Sequence, residues 1–192
     1  MKKIAVFASG NGSNFQALFD ATQEKELNAE ICLLICDQPN AYVLERAALA
    51  GIEVFSFSAK AFESKEQFET KIKEKLQEKE IEWIFLAGYM RLIGDVLLKS
   101  YGGRIINIHP SLLPSFKGKD AIGQALEAGV SITGITVHFV DEGMDTGPII
   151  AQEPVSIIRG ESKEQLSKRM QKVEHALLVQ AAKNLLEEEK QA

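Results

Sequence analysis

Short apolar runs alternate with stretches of helical period along almost the whole chain. The runs at 4–8, 31–36, 53–57, 82–86, 104–109, 131–140 and 149–156 read as strands. Between the earlier ones lie helical patterns: one from about Ser13 with Phe15, Leu18 and Phe19 on a face, one over 41–50 with Gly51 just past its end, and one over 65–80 striped by Phe68, Ile72 and Leu76. A last helix is expected over 162–188, with Leu166, Met170, Val173, Leu177 and Ala181 as its apolar stripe. Strands separated by helices imply right-handed βαβ units and a largely parallel sheet. No helix separates the last two strands; the residues from 141 to 149 suffice for a hairpin, so part of the sheet is expected to be antiparallel. With no repeat, linker or low-complexity tract, residues 1–192 are read as one doubly wound α/β domain.

Composition narrows the partners. The 192 residues carry 27 acidic and 22 basic side chains, a net charge of −5, with a pI near 5.4; this argues against a nucleic-acid partner, since phosphate backbones select basic faces. No apolar run approaches the ~20 residues of a membrane span. The first apolar run breaks at Ser9-Gly10, too early for a signal peptide, so a cytoplasmic location is expected. Cys32 and Cys36 share one strand, where four residues span about 13 Å, beyond disulfide reach; they are expected to be reduced thiols of the core. No metal-ligand spacing is evident, and no metal is expected.

In a doubly wound sheet, ligands gather beyond the carboxyl ends of the strands. The loop Ser9-Gly10-Asn11-Gly12-Ser13-Asn14 lies there, where glycines and a helix start suit a phosphate; the plainer alternative is a tight turn with Ser13 as N-cap. It is no Walker loop, and Phe15 occupies the third glycine position of a dinucleotide fingerprint. In Arg104-Ile105-Ile106-Asn107-Ile108-His109-Pro110, alternation places Asn107 and His109 on one face, and Pro110 ends the strand beside the imidazole. Amide and imidazole together suit a developing oxyanion. Asp145, between Gly143 and Gly147 in the following hairpin loop, is a candidate acid to favour a protonated ring, or else a turn carboxylate bonding its own backbone. His138 is read as a strand residue near the site, and His175 as a packing residue of the last helix. The run from Leu86 to Ile93 reads as an apolar loop lining a slot or covering core, and Glu174 as a fixed acceptor or a rim charge at the edge of the last helix's stripe.

Asn107-x-His109-Pro110-Ser111-Leu112-Leu113-Pro114 with Asp145 downstream resembles the signature of the folate-dependent formyltransferases, and the opening Ser9-Gly10-Asn11-Gly12-Ser13-Asn14 resembles the branch that formylates glycinamide ribonucleotide. The resemblance implies a formyltransferase fold, Rossmann-like, with a mixed seven-stranded sheet. It implies Asn107, His109 and Asp145 as catalytic residues, and Asn11, Gly12, Ser13 and Glu174 as binders of glycinamide ribonucleotide. Lys65, Met90, Arg91, Leu92, Ile93, Asn107, Asp141, Glu142, Gly143, Met144 and Asp145 would bind the cosubstrate 10-formyltetrahydrofolate. It leaves open whether two copies pair as a homodimer. The chain departs from many relatives at Phe116-Lys117-Gly118 and at Lys119-Asp120, so an auxiliary histidine of that loop does not carry over. Related enzymes acting on methionyl-tRNA, or hydrolysing the folate, would carry an added basic or regulatory domain, for which this length and charge leave no room.

Overall fold

A computed structural model describes residues 1–188. The seven strands form one sheet: β1 (Lys2–Ala8), β2 (Ala29–Cys36), β3 (Val54–Ser56), β4 (Trp83–Leu86), β5 (Ile105–His109), β6 (Ile132–Phe139) and β7 (Ile149–Ser156). Their order is β3-β2-β1-β4-β5-β6-β7. The first five run parallel, while β6 is antiparallel to both β5 and β7. The expected hairpin is therefore present, and the chain reverses its order of strand addition between β1 and β4.

Helices α1 (Ser13–Gln23), α2 (Val43–Leu49) and α6 (Lys163–Glu188) pack with Ile4, Val6, Phe85, Ile106, Ile108, Ile135 and Val137 on one face. Helix α3 (Lys65–Glu78) covers the other, where Phe68, Ile72 and Leu76 meet Ala5, Phe7, Leu33, Ile84 and Ile105. Two short helices escaped the sequence pattern. In α4 (Asp95–Tyr101) only Leu97 and Tyr101 are buried, too few points to define a period. In α5 (Ala121–Glu127) the N-cap Asp120 accepts from the Gly123 amide, a capping signal that the pattern-based reading passed over.

Strand β2 departs from simple alternation. Its register with β1 shifts between Ile4 and Ala5, which pair with Ile31 and Leu33, leaving Cys32 as the extra residue. Ile31, Leu34 and Cys36 therefore face one core, and Cys32, Leu33 and Ile35 the other. Both cysteines are free thiols, and burial raises the pKa of each.

Candidate active site

Antiparallel pairing of β5 with β6 sets Asn107 directly opposite His138, and His109 opposite Thr136. Ile106 and Ile108 pack into the core on the far face, so the polar side chains share the near one, as alternation predicts. Thr136 is fully buried and anchors the segment after β5: it donates to the Ser111 carbonyl at 2.6 Å and accepts from the Leu113 amide at 3.0 Å. The loop is thereby folded back over His109, whose Nε2 lies 2.8 Å from the Phe116 carbonyl.

Asp145 completes the cluster. It lies within the hairpin loop between β6 and β7 with a left-handed backbone (φ 53°), and its carboxylate, 11% exposed, meets four groups. Oδ2 accepts from the Gly118 amide at 2.8 Å and lies 3.4 Å from His109 Nδ1. Oδ1 lies 3.4 Å from Asn107 Nδ2 and 3.7 Å from His138 Nε2. Burial alone would raise its pKa, but His138, the Gly118 N–H and His109 outweigh it and hold the carboxyl below its ordinary value. The turn-carboxylate alternative fails, since these partners are remote in sequence.

Hydrogen-bond partners constrain the protons. The Phe116 carbonyl only accepts, so Nε2 of His109 carries a proton, while Nδ1 faces a carboxylate. His138 Nδ1 similarly gives its proton to the Phe139 carbonyl at 2.7 Å, while its Nε2 lies 3.1 Å from Asn107 Nδ2 and 3.7 Å from Asp145 Oδ1. His138 thus orients the Asn107 amide, a larger part than its place on a strand suggested. The contacts of Asp145 to Asn107 and His109 are both long for hydrogen bonds. A ligand oxygen entering there meets an amide donor and an imidazole donor together.

The glycine loop presents a second polar surface. Gly12, not Ser13, is the N-cap of α1; it is left-handed (φ 78°) and no side chain caps the helix. A side chain at position 12 would strike Val43 of α2. Arg46 of α2 donates through Nε to the Asn11 carbonyl at 2.9 Å and through Nη2 to Asn11 Oδ1 at 3.1 Å. The loop's oxygens are thus turned onto a guanidinium while the first amides of α1 remain for an anion. Gln171 donates to Ser13 Oγ at 2.9 Å, and Asn14 to Glu174 Oε1 at 3.0 Å, so α6 supplies the opposite wall. Burial raises the pKa of Glu174 more than the Asn14 bond lowers it. Among the described residues, buried Asn14 Oδ1 has no partner. His175 is half-buried on the same helix, its Nε2 likewise unpartnered among the described residues, and burial lowers its pKa, aided by Arg46. Arg46 and Gln171 had no signal in the sequence pattern beyond helical position.

In the segment after β4, Met90 and Leu92 are 75% and 53% exposed, and Met144 of the β6–β7 loop is 47% exposed. Ile93, by contrast, is buried in the core beside α3 and α4, so only its backbone is left to a ligand. Lys65 begins α3 next to Gly94, its ammonium 3.9 Å from Glu69. Asp141 is engaged within its own loop, accepting from the Gly143 amide at 3.0 Å and Thr146 Oγ1 at 2.6 Å, while Glu142 is exposed. A cavity of about 400 Å³ at the strand ends is lined by Ser9, Gln38, Pro39, Asn40, Ala41 and Met90. Among the described residues no group of His, Cys, Asp or Glu is arranged to hold a metal ion, and no helix is long and apolar enough to cross a membrane.

Residues 2–182 match the family described as Formyl transferase. A phosphoribosylglycinamide formyltransferase of Bacillus subtilis is 55% identical over 186 residues, covering 97% of this chain and 95% of that protein. A Bos taurus trifunctional purine biosynthetic protein adenosine-3 is 42% identical over 179 residues, which make up 18% of its length. The crystal structure of glycinamide ribonucleotide transformylase 1 from Geobacillus kaustophilus superposes with a TM-score of 0.95 at 57% identity, covering 97% of this chain and 99% of that one. With the fold, the polar cluster on β5 and β6 and these relatives in agreement, the chain belongs to the formyl transferase family, in its phosphoribosylglycinamide formyltransferase branch.

Proposed function

We propose that this enzyme transfers the formyl group of 10-formyltetrahydrofolate to the amine of glycinamide ribonucleotide, a step of purine biosynthesis, at the cluster of Asn107, His109 and Asp145. The observation that carries the proposal is the clustering of the three side chains: the Asp145 carboxylate approaches both Asn107 Nδ2 and His109 Nδ1 at 3.4 Å. In the reaction the neutral amine attacks the formyl carbon and a C–N bond forms. The carbonyl electrons move onto oxygen, where Asn107 donates a hydrogen bond and His109 pairs with or protonates the oxyanion. Asp145 balances the imidazolium and relays the proton lost by the attacking nitrogen. Collapse breaks the bond from carbon to the folate nitrogen, which takes up a proton. No metal enters these steps.

The amine substrate's phosphate fits the amides of Gly12 and Ser13 with Asn11 beside them, and Glu174 accepts from its glycinamide or ribose. The exposed apolar Met90, Leu92 and Met144, with the backbone of Ile93 and Gly143, form the slot for the pterin ring. Arg91, Lys65, Asp141 and Glu142 are read as further contacts of the same cosubstrate. The same reading treats the chain as one formyltransferase domain acting in the cytoplasm. Light scattering distinguishes a monomer from a homodimer.

The experiment mixes the protein with 10-formyltetrahydrofolate, with and without glycinamide ribonucleotide, and follows both products by mass. Formyl loss only with the amine, matched by formylated amine, is expected. Release of formate without the amine would replace transfer by hydrolysis.

A further inference from the structure

Asp37 takes no part in these steps, yet it is a carboxylate only 1% exposed at the side chain, placed just past the carboxyl end of β2. Its Oδ1 accepts from Ser9 Oγ at 2.5 Å, and its Oδ2 accepts from Arg91 Nε at 2.7 Å and from Gln38 Nε2 at 3.3 Å. Ser9 Oγ in turn accepts from the Met90 amide at 2.9 Å. An amide can only donate, so the serine hydroxyl must give its own proton to Asp37, and the direction of the relay is fixed. The Ser9 amide also bonds the Gly88 carbonyl at 3.0 Å, and the Arg91 guanidinium lies over the Phe68 ring, 5.7 Å from its centroid.

One buried charge therefore joins the ends of three strands. It holds β1 through Ser9, β2 through its own backbone, and the segment after β4 through the Met90 amide and the Arg91 side chain. That segment exposes its large apolar side chains at 90 and 92 and so gains little anchorage by burial. A carboxylate this buried is satisfied only when its cation and hydroxyl are both in place. We propose that Asp37 is a positioning residue that sets the wall formed by residues 90–92 for the folate cosubstrate, which rests on the reading that this wall lines the folate slot.

The test compares wild-type enzyme with Asp37→Asn and Ser9→Ala, measuring kcat, the KM of each substrate and the thermal midpoint. In Asp37→Asn Arg91 loses its counter-charge in either rotamer of the amide: with the oxygen on Ser9 the N–H group faces Arg91, and with the oxygen on Arg91 the serine hydroxyl loses its acceptor. The expected result is a rise of about 10-fold or more in the KM for 10-formyltetrahydrofolate. The KM for the amine and kcat at saturation stay within about 3-fold. Ser9→Ala, which removes only the Met90 tether, moves the same KM in the same direction by a smaller factor and covers the case in which Asp37→Asn fails to fold. A lower thermal midpoint with the folate KM unchanged in Ser9→Ala, or with both KM values and kcat shifted alike in Asp37→Asn, would overturn the assignment. A wild-type enzyme that transfers no formyl group would instead overturn the functional reading on which it rests.

Discussion

Replacing Asp145 by Asn keeps the volume and an acceptor for the Gly118 amide but removes the charge that faces His109 at 3.4 Å. Two unit charges at that separation attract by about 5 kcal/mol at an effective dielectric near 20. The amide dipole restores part of this, and the buried group recovers its own desolvation, so a loss of about 3–4 kcal/mol in the transition state is a reasonable magnitude. At about 1.4 kcal/mol per decade, kcat should fall about 10²–10³-fold. The amine KM should change little, because the phosphate of that substrate is assigned to the glycine loop and not to Asp145. The assay is steady-state formation of formylated amine with both substrates varied, alongside circular dichroism and a thermal melt to show that the variant is folded. A folded Asp145→Asn enzyme retaining kcat within about 3-fold would refute the role of this charge.

Three further expectations concern the other wall of the site. Arg46→Met should raise the KM for glycinamide ribonucleotide about 10-fold or more while leaving the dephosphorylated amine unaffected, since the fork that turns the Asn11 oxygens away from the anion is lost; equal effects on both amines would contradict it. Glu174 has a raised folded pKa, so its neutral form stabilises the fold below about pH 4 and that contribution is lost as pH rises through the folded pKa. Glu174→Gln should therefore raise the thermal midpoint at pH 7 more than at pH 4, while weakening the amine KM. His175 has a lowered folded pKa, so its contribution is present above about pH 6.5 and lost as pH falls through the folded value; His175→Gln should flatten the fall in thermal midpoint between pH 7 and 5.

The candidate pair of Asn107 and His109 was legible in the chain because a strand period and a terminating proline leave them little freedom. What the pattern could not supply was the partner strand. The importance of His138 depends on the β5–β6 register, which aligns it with Asn107 across an antiparallel pair, and no local signal encodes that alignment. Asp145 was recognisable as a candidate, yet its role is fixed only by the return of Gly118 and His109 to it. Arg46 and Asp37 stayed hidden for a similar reason: each acts on a loop far away in sequence, and at their own positions they look like a helix-surface cation and a turn residue. Short α4 and α5, and the extra residue at Cys32, fall below what periodicity resolves.

Whether Asn107 and His109 act together depends on where one oxygen goes. A crystal structure with a stable tetrahedral adduct of the folate and the amine substrate measures it directly. The adduct oxygen is expected within about 3.2 Å of both Asn107 Nδ2 and His109 Nδ1, with the phosphate on the amides of residues 12–14. An adduct bound with its oxygen turned away from both side chains would overturn the roles assigned to them.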